Sequence, residues 1–236
     1  ATETITLDRT RIAELTAREA RRLDERTQGS LKMYERANRV LSGGVASSYQ
    51  ARSPWPIYLE RGEGARVWDV DGNEMWDFHN GFGSMVQGHA HPAIGKAIAD
   101  RYASGTHFAA PTEDAVVVAE ELQRRWGLPK WRYVNSGSEA TMDAIRIARG
   151  LTGRDTVVKI FGSYHGHHDT VMVSIGIEYD KIGDHEDLQS LPYGAGIPQS
   201  TVDMTIAVPF NDAPAMERRI ERLTAEGRKR SEEHTS

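Results

Sequence analysis

The chain contains no cysteine among its 236 residues. Disulfides, thiolate metal sites and a cysteine nucleophile are therefore excluded, and the composition fits a reducing compartment. A long apolar run is also missing, because residues 1–22 are too charged for a signal peptide and no window approaches the length of a membrane span. These absences predict a cytoplasmic protein without a membrane partner.

A strong charge of either sign is missing as well. Lysine and arginine number 29 against 34 acidic residues, which gives a formal net charge of −5. This balance argues against a nucleic acid partner and against binding to an anionic membrane surface. With 39% hydrophobic residues, the chain can form one large domain or two small domains with a real core.

The first part of the chain predicts two helices and a hairpin. Residues 1–29 are charge-dense with a thin apolar stripe, which indicates a surface helix or a partly disordered arm. Ser30 is placed to cap a second helix that stops at Gly43. The dipeptide Asp71-Gly72 lies between two alternating segments and is a strong hairpin signal.

Strand and helix patterns alternate from about residue 90 onward. Helical patterns begin at Pro92, Pro111 and Glu139, and strand patterns cover residues 131–134 and 156–161. Such alternation predicts an α/β fold with a doubly wound parallel sheet. Ligands of these sheets bind at the carboxyl ends of strands, where each of the two predicted strands is followed by a glycine-rich loop.

The first of these loops is Ser136-Gly137-Ser138, which leads from a predicted strand into a predicted helix. Free backbone N–H groups at a helix N-terminus favour an anion, as does the helix dipole. Gly137 permits close approach of the backbone, and the hydroxyls of Ser136 and Ser138 are further donors, so the loop predicts a phosphate site. A simpler explanation is also open, because Ser136 and Glu139 fit the Ser-x-x-Glu capping box of a helix that binds no ligand.

The second loop, residues 162–169, places one aromatic ring and three imidazoles at the predicted rim of the sheet. In one interpretation, Tyr164 or His165 offers a flat face to a planar cofactor whose phosphate occupies the first loop. In another, His165, His167 and Asp169 are metal ligands, with a spacing that resembles metallo-β-lactamase-type hydrolases and with ligand types that suit zinc. In a third, the histidines are polar rim residues with capping roles.

Further short motifs follow one another along residues 30–225. They are Gly43-Gly-Val45, Gly62-x-Gly64-x-x-x-x-Asp69-Val-Asp-Gly72, Gly88-His-Ala-His-Pro92, Ala110-Pro-Thr-Glu113, Asn135-Ser-Gly-Ser-Glu-Ala-Thr-Met142, Arg146-x-Ala-Arg149, Thr152-Gly-Arg154 and Tyr164-His-Gly166. Their order and spacing resemble the N-terminal half of a class III aminotransferase, a fold type I enzyme that depends on pyridoxal phosphate. The resemblance is to the glutamate-1-semialdehyde 2,1-aminomutase and β-amino-acid transaminase group in particular.

The resemblance implies an incomplete, parallel-rich sheet flanked by helices. Residues 30–90, with the hairpin, would form the N-terminal part of the small domain, and residues 91–229 an incomplete large cofactor-binding domain. Residues 1–29 remain an arm or surface helix. Residues 230–236 read as a translated sequencing-library adapter, so we expect an adapter-derived tail.

The resemblance also implies roles for residues of both loops. Gly137 and Ser138, with Ser136 beside them, would bind the phosphate of pyridoxal 5'-phosphate. Tyr164 would stack on the pyridine ring, and His165 would lie next to it. The cofactor interpretation of the two loops is thus the one that the resemblance favours.

Three residues of the first part of the chain are implied to bind substrate. Phe82 and Ser84 would lie near it, and Gln50 occupies the position of an arginine that grips the substrate carboxylate in the similar enzymes. Because glutamine cannot form a charged bidentate clamp, glutamate-1-semialdehyde is in doubt as the substrate. Arg52 is near enough in sequence to take over that role.

The implied reaction moves an amino group, through a Schiff base, between a small amino donor and a keto or aldehyde acceptor. No catalytic residue is predicted, because none of the lysines lies in a glycine-rich loop and the Schiff-base lysine and the acid that pairs with the pyridine nitrogen are both missing. We therefore expect an inactive fragment of a homodimeric enzyme. The alternatives are a 1,2-aminomutase and, from another class, a metal-dependent hydrolase that uses His165, His167 and Asp169.

Overall fold

The computed structural model describes residues 7–227. Its contacts divide the chain into two compact units, with the boundary in the sequence between Pro111 and Thr112. The predicted tail, residues 230–236, lies outside the described residues. The helices are α1 Arg9–Arg26, α2 Gln28–Ala37, α3 Pro92–Tyr102, α4 Glu113–Trp126, α5 Gly137–Thr152, α6 Gln199–Asp203 and α7 Ala213–Ala225, and the strands are β1 Leu59–Glu63, β2 Arg66–Asp69, β3 Glu74–Trp76, β4 Val157–Ile160, β5 Gly183–Asp184, β6 Asp187–Leu188 and β7 Thr205–Val208.

The first unit begins with a helix that buries none of its residues. Helix α1 is capped by the Asp8 carboxylate, which accepts a hydrogen bond from the Arg11 amide at 2.9 Å. Over Arg9–Arg26 this helix agrees with the surface-helix alternative for residues 1–29. No helix of the described chain is long and apolar enough to cross a membrane.

A three-stranded antiparallel sheet, in the order β1-β2-β3, follows in the same unit. Strands β2 and β3 pair through Val67 and Met75, and the turn between them contains Gly72 at φ +81°. Glycine adopts this backbone conformation without steric cost. The hairpin predicted at Asp71-Gly72 is confirmed.

Two carboxylates hold the hairpin turn against helix α2. Asp69, which is 1% exposed, accepts hydrogen bonds from the Asp71 amide and from both the amide and side-chain nitrogen of Asn73, at 2.7–3.0 Å. Asp71 in turn accepts from the amides of Gly29 at 2.5 Å and Ser30 at 2.9 Å. Because these amides lie at the start of α2, Asp71 caps that helix from a distant part of the chain.

The prediction that Ser30 caps the second helix was therefore wrong. Helix α2 begins at Gln28, and Ser30 lies inside it with no exposed surface. Its hydroxyl accepts a hydrogen bond from the Tyr58 amide at 3.2 Å. The long-range cap supplied by Asp71 removes the need for a local one.

The second unit contains the parallel pair β4–β7, in which Val158 lies opposite Ile206. One face of the pair packs on α7, where Leu223 completes the apolar cluster together with Val208. The predicted helix that begins near Glu139 is present as α5. The two parallel strands with their flanking helices agree with the predicted incomplete α/β sheet.

The strand predicted for residues 131–134 is not formed. No backbone of the described residues pairs with this segment, and Tyr133 and Val134 are 48% and 39% exposed. A strand pattern needs a neighbouring strand to satisfy its N–H and C=O groups, and that partner is not a local feature. The predicted boundary between a small and a large domain at residue 90 refers to the complete fold and stays a prediction.

We expect Asp69→Ala to lower the free energy of unfolding by about 2–4 kcal/mol, because three donors would lose a buried carboxylate acceptor. Urea unfolding of the purified chain measures the change. The matched control is Asp100→Ala, which removes only an exposed ion pair to Lys96 and should cost about 0.5 kcal/mol or less. Equal losses for the two variants would contradict the role assigned to Asp69.

Candidate active site

Helix α5 begins at the first glycine-rich loop with a side-chain cap. The Ser136 hydroxyl oxygen accepts a hydrogen bond from the Glu139 amide at 3.2 Å. The Glu139 carboxylate turns back and accepts from the Asn135 amide at 2.5 Å. A capping arrangement close to the expected box is therefore present.

This cap leaves the first two amides of the helix free. Among the described residues, neither the Gly137 N–H nor the Ser138 N–H has a hydrogen-bond acceptor. Both lie at the positive end of the dipole of a 16-residue helix. An anion would satisfy them, so that capping and anion binding are compatible at this helix end.

The second glycine-rich loop packs directly on the same helix end. Gly166 is buried at φ +115°, and a Cβ atom added to it would lie 2.6 Å from the Ser138 Cα. This close approach lets the His167 amide donate to the Ser138 hydroxyl oxygen at 2.9 Å. One turn along the helix, the Thr141 hydroxyl donates to the His165 carbonyl at 2.6 Å. The structure therefore brings together two loops that are separate in sequence.

The Ser138 hydroxyl has a proton that is available for a hydrogen bond to a ligand. Its oxygen accepts from the His167 amide, and no acceptor for its proton exists within residues 7–227. The helix end thus offers the N–H groups of Gly137 and Ser138 and the O–H of Ser138. Three unpaired donors on two adjacent residues suit a phosphate group, for which hydrogen bonds are charge-assisted.

The aromatic and imidazole rings of the second loop differ in their exposure. Tyr164 is 63% exposed, so that its ring face is available to a planar ligand. His165 is half-buried, and burial together with the nearby Lys159 ammonium lowers its pKa. Burial also lowers the pKa of His168, whose Nε2 lies 3.2 Å from the Thr141 hydroxyl. Both imidazoles are therefore neutral at pH 7.

Lys159 is a titratable group close to this loop that the sequence analysis did not single out. It lies on β4 with 5% of its surface exposed, and its Nζ donates to the Ile160 carbonyl at 3.3 Å. Burial lowers the pKa of Lys159 to about 8. A lone lysine within the apolar residues 156–161 was the available signal, because lysine is rarely buried without a partner.

The geometry gives no support to a metal site at His165, His167 and Asp169. In the part of the chain that the structure describes, no group of three or more histidine, cysteine, aspartate or glutamate side chains is arranged to hold a metal ion. The His165 ring instead contacts the Ser163 hydroxyl at 2.9 Å. This polar contact agrees with the third interpretation of the loop, in which the histidines are polar rim residues, although it is not a capping contact.

The predicted substrate residues lie in the first unit, where one of them, Phe82, is part of an aromatic cluster. Phe82 is 74% exposed and meets Tyr49 and His79 edge to face, with ring centroids 5.2 and 4.2 Å apart. Next to Tyr49, the Gln50 side-chain oxygen accepts a hydrogen bond from the Ser47 amide at 3.1 Å. Tyr49 and His79 are therefore members of this cluster that sequence reasoning missed.

Ser84 and Arg52 both bond to their own loops. The Ser84 hydroxyl donates to the Gly81 carbonyl at 2.8 Å. The Arg52 Nη1 donates to the carbonyls of Tyr49 and Ala51, each at 2.7 Å. The substrate-binding roles of these residues stay predictions.

Comparison with known proteins identifies the family. Residues 48–236 match the sequence profile of the family described as aminotransferase class-III. This match covers most of the chain, and the chain therefore belongs to the class-III aminotransferases. The predicted family and the α/β fold class are confirmed.

Individual relatives include both aminomutases and transaminases. The glutamate-1-semialdehyde 2,1-aminomutase of Methanopyrus kandleri is 40% identical over 84% of this chain and 44% of its own length. An omega-transaminase from Sphaerobacter thermophilus is 37% identical with a TM-score of 0.82, over 89% of this chain and 48% of that one. A transaminase solved with PLP bound is 38% identical with a TM-score of 0.75, over 84% and 45%. The chain spans about half the length of the proteins that it matches.

We expect Gly166→Ala to lower the free energy of unfolding by more than about 2 kcal/mol, because the new Cβ would meet backbone and force the loop away from Ser138. Gly162→Ala is the matched control in the same loop. It has φ +78° but no atom within 4 Å of the added Cβ, so only the backbone strain of about 1–2 kcal/mol applies. Urea unfolding that gives the two variants equal losses would contradict the close approach.

We expect the chain to become more stable as the pH rises from about 8 to the ordinary lysine value of 10.5. In this range the unfolded chain holds the Lys159 proton while the folded chain has released it, and a higher pH then favours folding by roughly 3 kcal/mol in total. Urea midpoints across this range should rise for the wild type and for the exposed-site control Lys96→Met. A rise that persists in Lys159→Met would assign the effect to another group.

Proposed function

We propose that this chain is part of a transaminase that depends on pyridoxal 5'-phosphate and moves an amino group from a small amino donor to a keto or aldehyde acceptor. The observation that carries the proposal is the pair of free amides at Gly137 and Ser138, held against the loop of Tyr164 and His165. Membership of the class-III aminotransferases and the similarity to a transaminase with PLP bound support it.

The residues present fit this cofactor. Gly137 and Ser138 would hold the phosphate through two N–H donors and one O–H donor, with Ser136 capping the helix beneath it. Tyr164 would cover one face of the pyridine ring, and His165 would lie at its edge. When bound, the cofactor supplies a carbonyl for the amino group and a ring that takes up the electron pair of the broken bond. The protein orients both groups and keeps the neighbouring imidazoles neutral.

Gln50 favours a transaminase over a glutamate-1-semialdehyde-type 1,2-aminomutase, although relatives with the aminomutase name exist. Its amide is neutral, and its oxygen already accepts from the Ser47 amide. A carboxylate of the substrate would therefore lack a bidentate cation at this position. Arg52 could compensate only through its Nε–H and Nη2–H groups, because its Nη1 already donates to two carbonyls of its own loop.

We further propose that the full enzyme is a cytoplasmic homodimer and that the 236-residue chain alone has no transaminase activity. The absence of cysteine supports a reducing compartment. Among residues 7–227, no lysine lies in the two loops of the site, and Lys159, on the strand before the second loop, is almost fully buried. Sustained transfer of amino groups to a keto acid by the purified chain would contradict the inactivity.

The cofactor site is tested with pyridoxine 5'-phosphate, which carries the ring and phosphate but has no aldehyde to react with surface lysines. We expect Ser138→Ala to weaken its binding by about 1–3 kcal/mol, or roughly 5- to 150-fold, because one donor to the phosphate is lost. Ser104→Ala, at an exposed serine of the first unit, is the control. Calorimetric titration that gives the same affinity for Ser138→Ala and wild type would remove Ser138 from the phosphate site, and the absence of binding to wild type would refute the site itself.

A further inference from the structure

A chain of hydrogen bonds runs from the end of β4 to the ring of His165. The Ile160 carbonyl accepts from the Ser163 hydroxyl at 2.6 Å and from the Lys159 Nζ at 3.3 Å. The same Ser163 hydroxyl lies 2.9 Å from the His165 Nε2. Ser163 therefore connects a backbone carbonyl of the sheet to the imidazole beside the proposed cofactor site.

The number of available protons fixes the donor and the acceptor of each hydrogen bond between Ile160, Ser163 and His165. A serine hydroxyl has one proton, and a carbonyl oxygen has none. Because the 2.6 Å contact joins Ser163 to the Ile160 carbonyl, the serine proton lies there. The serine oxygen must then accept in its contact with His165, and the His165 Nε2 must carry a hydrogen.

The other ring nitrogen of His165 has no proton. Burial and the nearby Lys159 ammonium both oppose a second proton on the ring. Within residues 7–227, Nδ1 has no hydrogen-bond partner, and it is not among the buried unpaired nitrogens. The lone pair of Nδ1 is therefore accessible to a hydrogen-bond donor.

We propose that Ser163 is a positioning residue that fixes His165 in the Nε2–H tautomer and thereby makes His165 Nδ1 a hydrogen-bond acceptor at the edge of the site. An acceptor here binds an N–H or O–H group and has no proton to donate to a carboxylate. The tautomer of His165 does not depend on the proposed function. The proposed function enters only when we place the partner of His165 Nδ1 on the bound cofactor or on the residues around it.

His168 provides an internal reference for the same reasoning. Its Nε2 lies 3.2 Å from the Thr141 hydroxyl, whose proton goes to one of the carbonyls of Gly137, Ser138 and His165. Whichever carbonyl accepts, His168 must also carry its hydrogen on Nε2. Since Ser163 makes no contact with this ring, a change at Ser163 should leave His168 unaffected.

The test is long-range 1H–15N NMR of the ligand-free 236-residue chain with 15N-labelled histidine at pH 7.5, with the signals of His165 assigned from His165→Gln. We expect Nδ1 at an unprotonated and Nε2 at a protonated shift. Ser163→Ala should move both shifts toward a tautomer average, Ser163→Thr should restore them, and His168 should not move. An Nδ1–H tautomer, an imidazolium ring, or His165 shifts that are the same in Ser163→Ala and wild type would overturn the proposal.

Pyridoxine 5'-phosphate then separates this inference from the proposed function. If it binds, the Nδ1 shift of His165 should change on titration, while binding without that change would overturn the role of Nδ1 as an acceptor for the ligand. If it does not bind, the proposed function fails, and the tautomer measured without ligand still decides the role of Ser163.

Discussion

The contact between Gly166 and Ser138 is the constraint on which the site depends. Only a residue without a Cβ fits there, since an added one would lie 2.6 Å from the Ser138 Cα. Because the loop can come this close, one amide bonds the Ser138 hydroxyl and one carbonyl reaches Thr141. Because Gly166 has no side chain, the loop with Tyr164 and His165 can pack directly on the helix end that carries the free amides.

The electrostatics of this region follow from the same packing. The chain as a whole carries −5, yet the free amides lie at the positive end of α5 and Lys159 is buried nearby on β4. Burial keeps the two half-buried imidazoles of the loop neutral, so the positive charge near the site comes from the helix end and from Lys159. A site that attracts an anion through its backbone does not change with the titration of histidine.

Local signals predicted local features well, and long-range partners explain the failures. The Ser136 cap, helix α5 and the turn at Asp71 depend on a few adjacent residues, and the structure contains all three. Ser30 failed as a cap because Asp71, from a distant turn, supplies the acceptor. Residues 131–134 failed as a strand because pairing requires another segment. The link from Ser163 to His165 was equally invisible, since no motif encodes the direction of a hydroxyl proton.

The two groups of predicted site residues differ in what they determine. In the proposed site the phosphate would meet mainly backbone N–H groups, which any sequence compatible with the same turn provides. This part of the site is consistent with both transaminase and aminomutase relatives. Gln50 and the aromatic cluster of Phe82, Tyr49 and His79 would instead act through side chains, and a single replacement at a position such as Gln50 would change the charge offered to a substrate. Family membership therefore constrains the cofactor more tightly than the substrate, because function resides in the site and not in the fold.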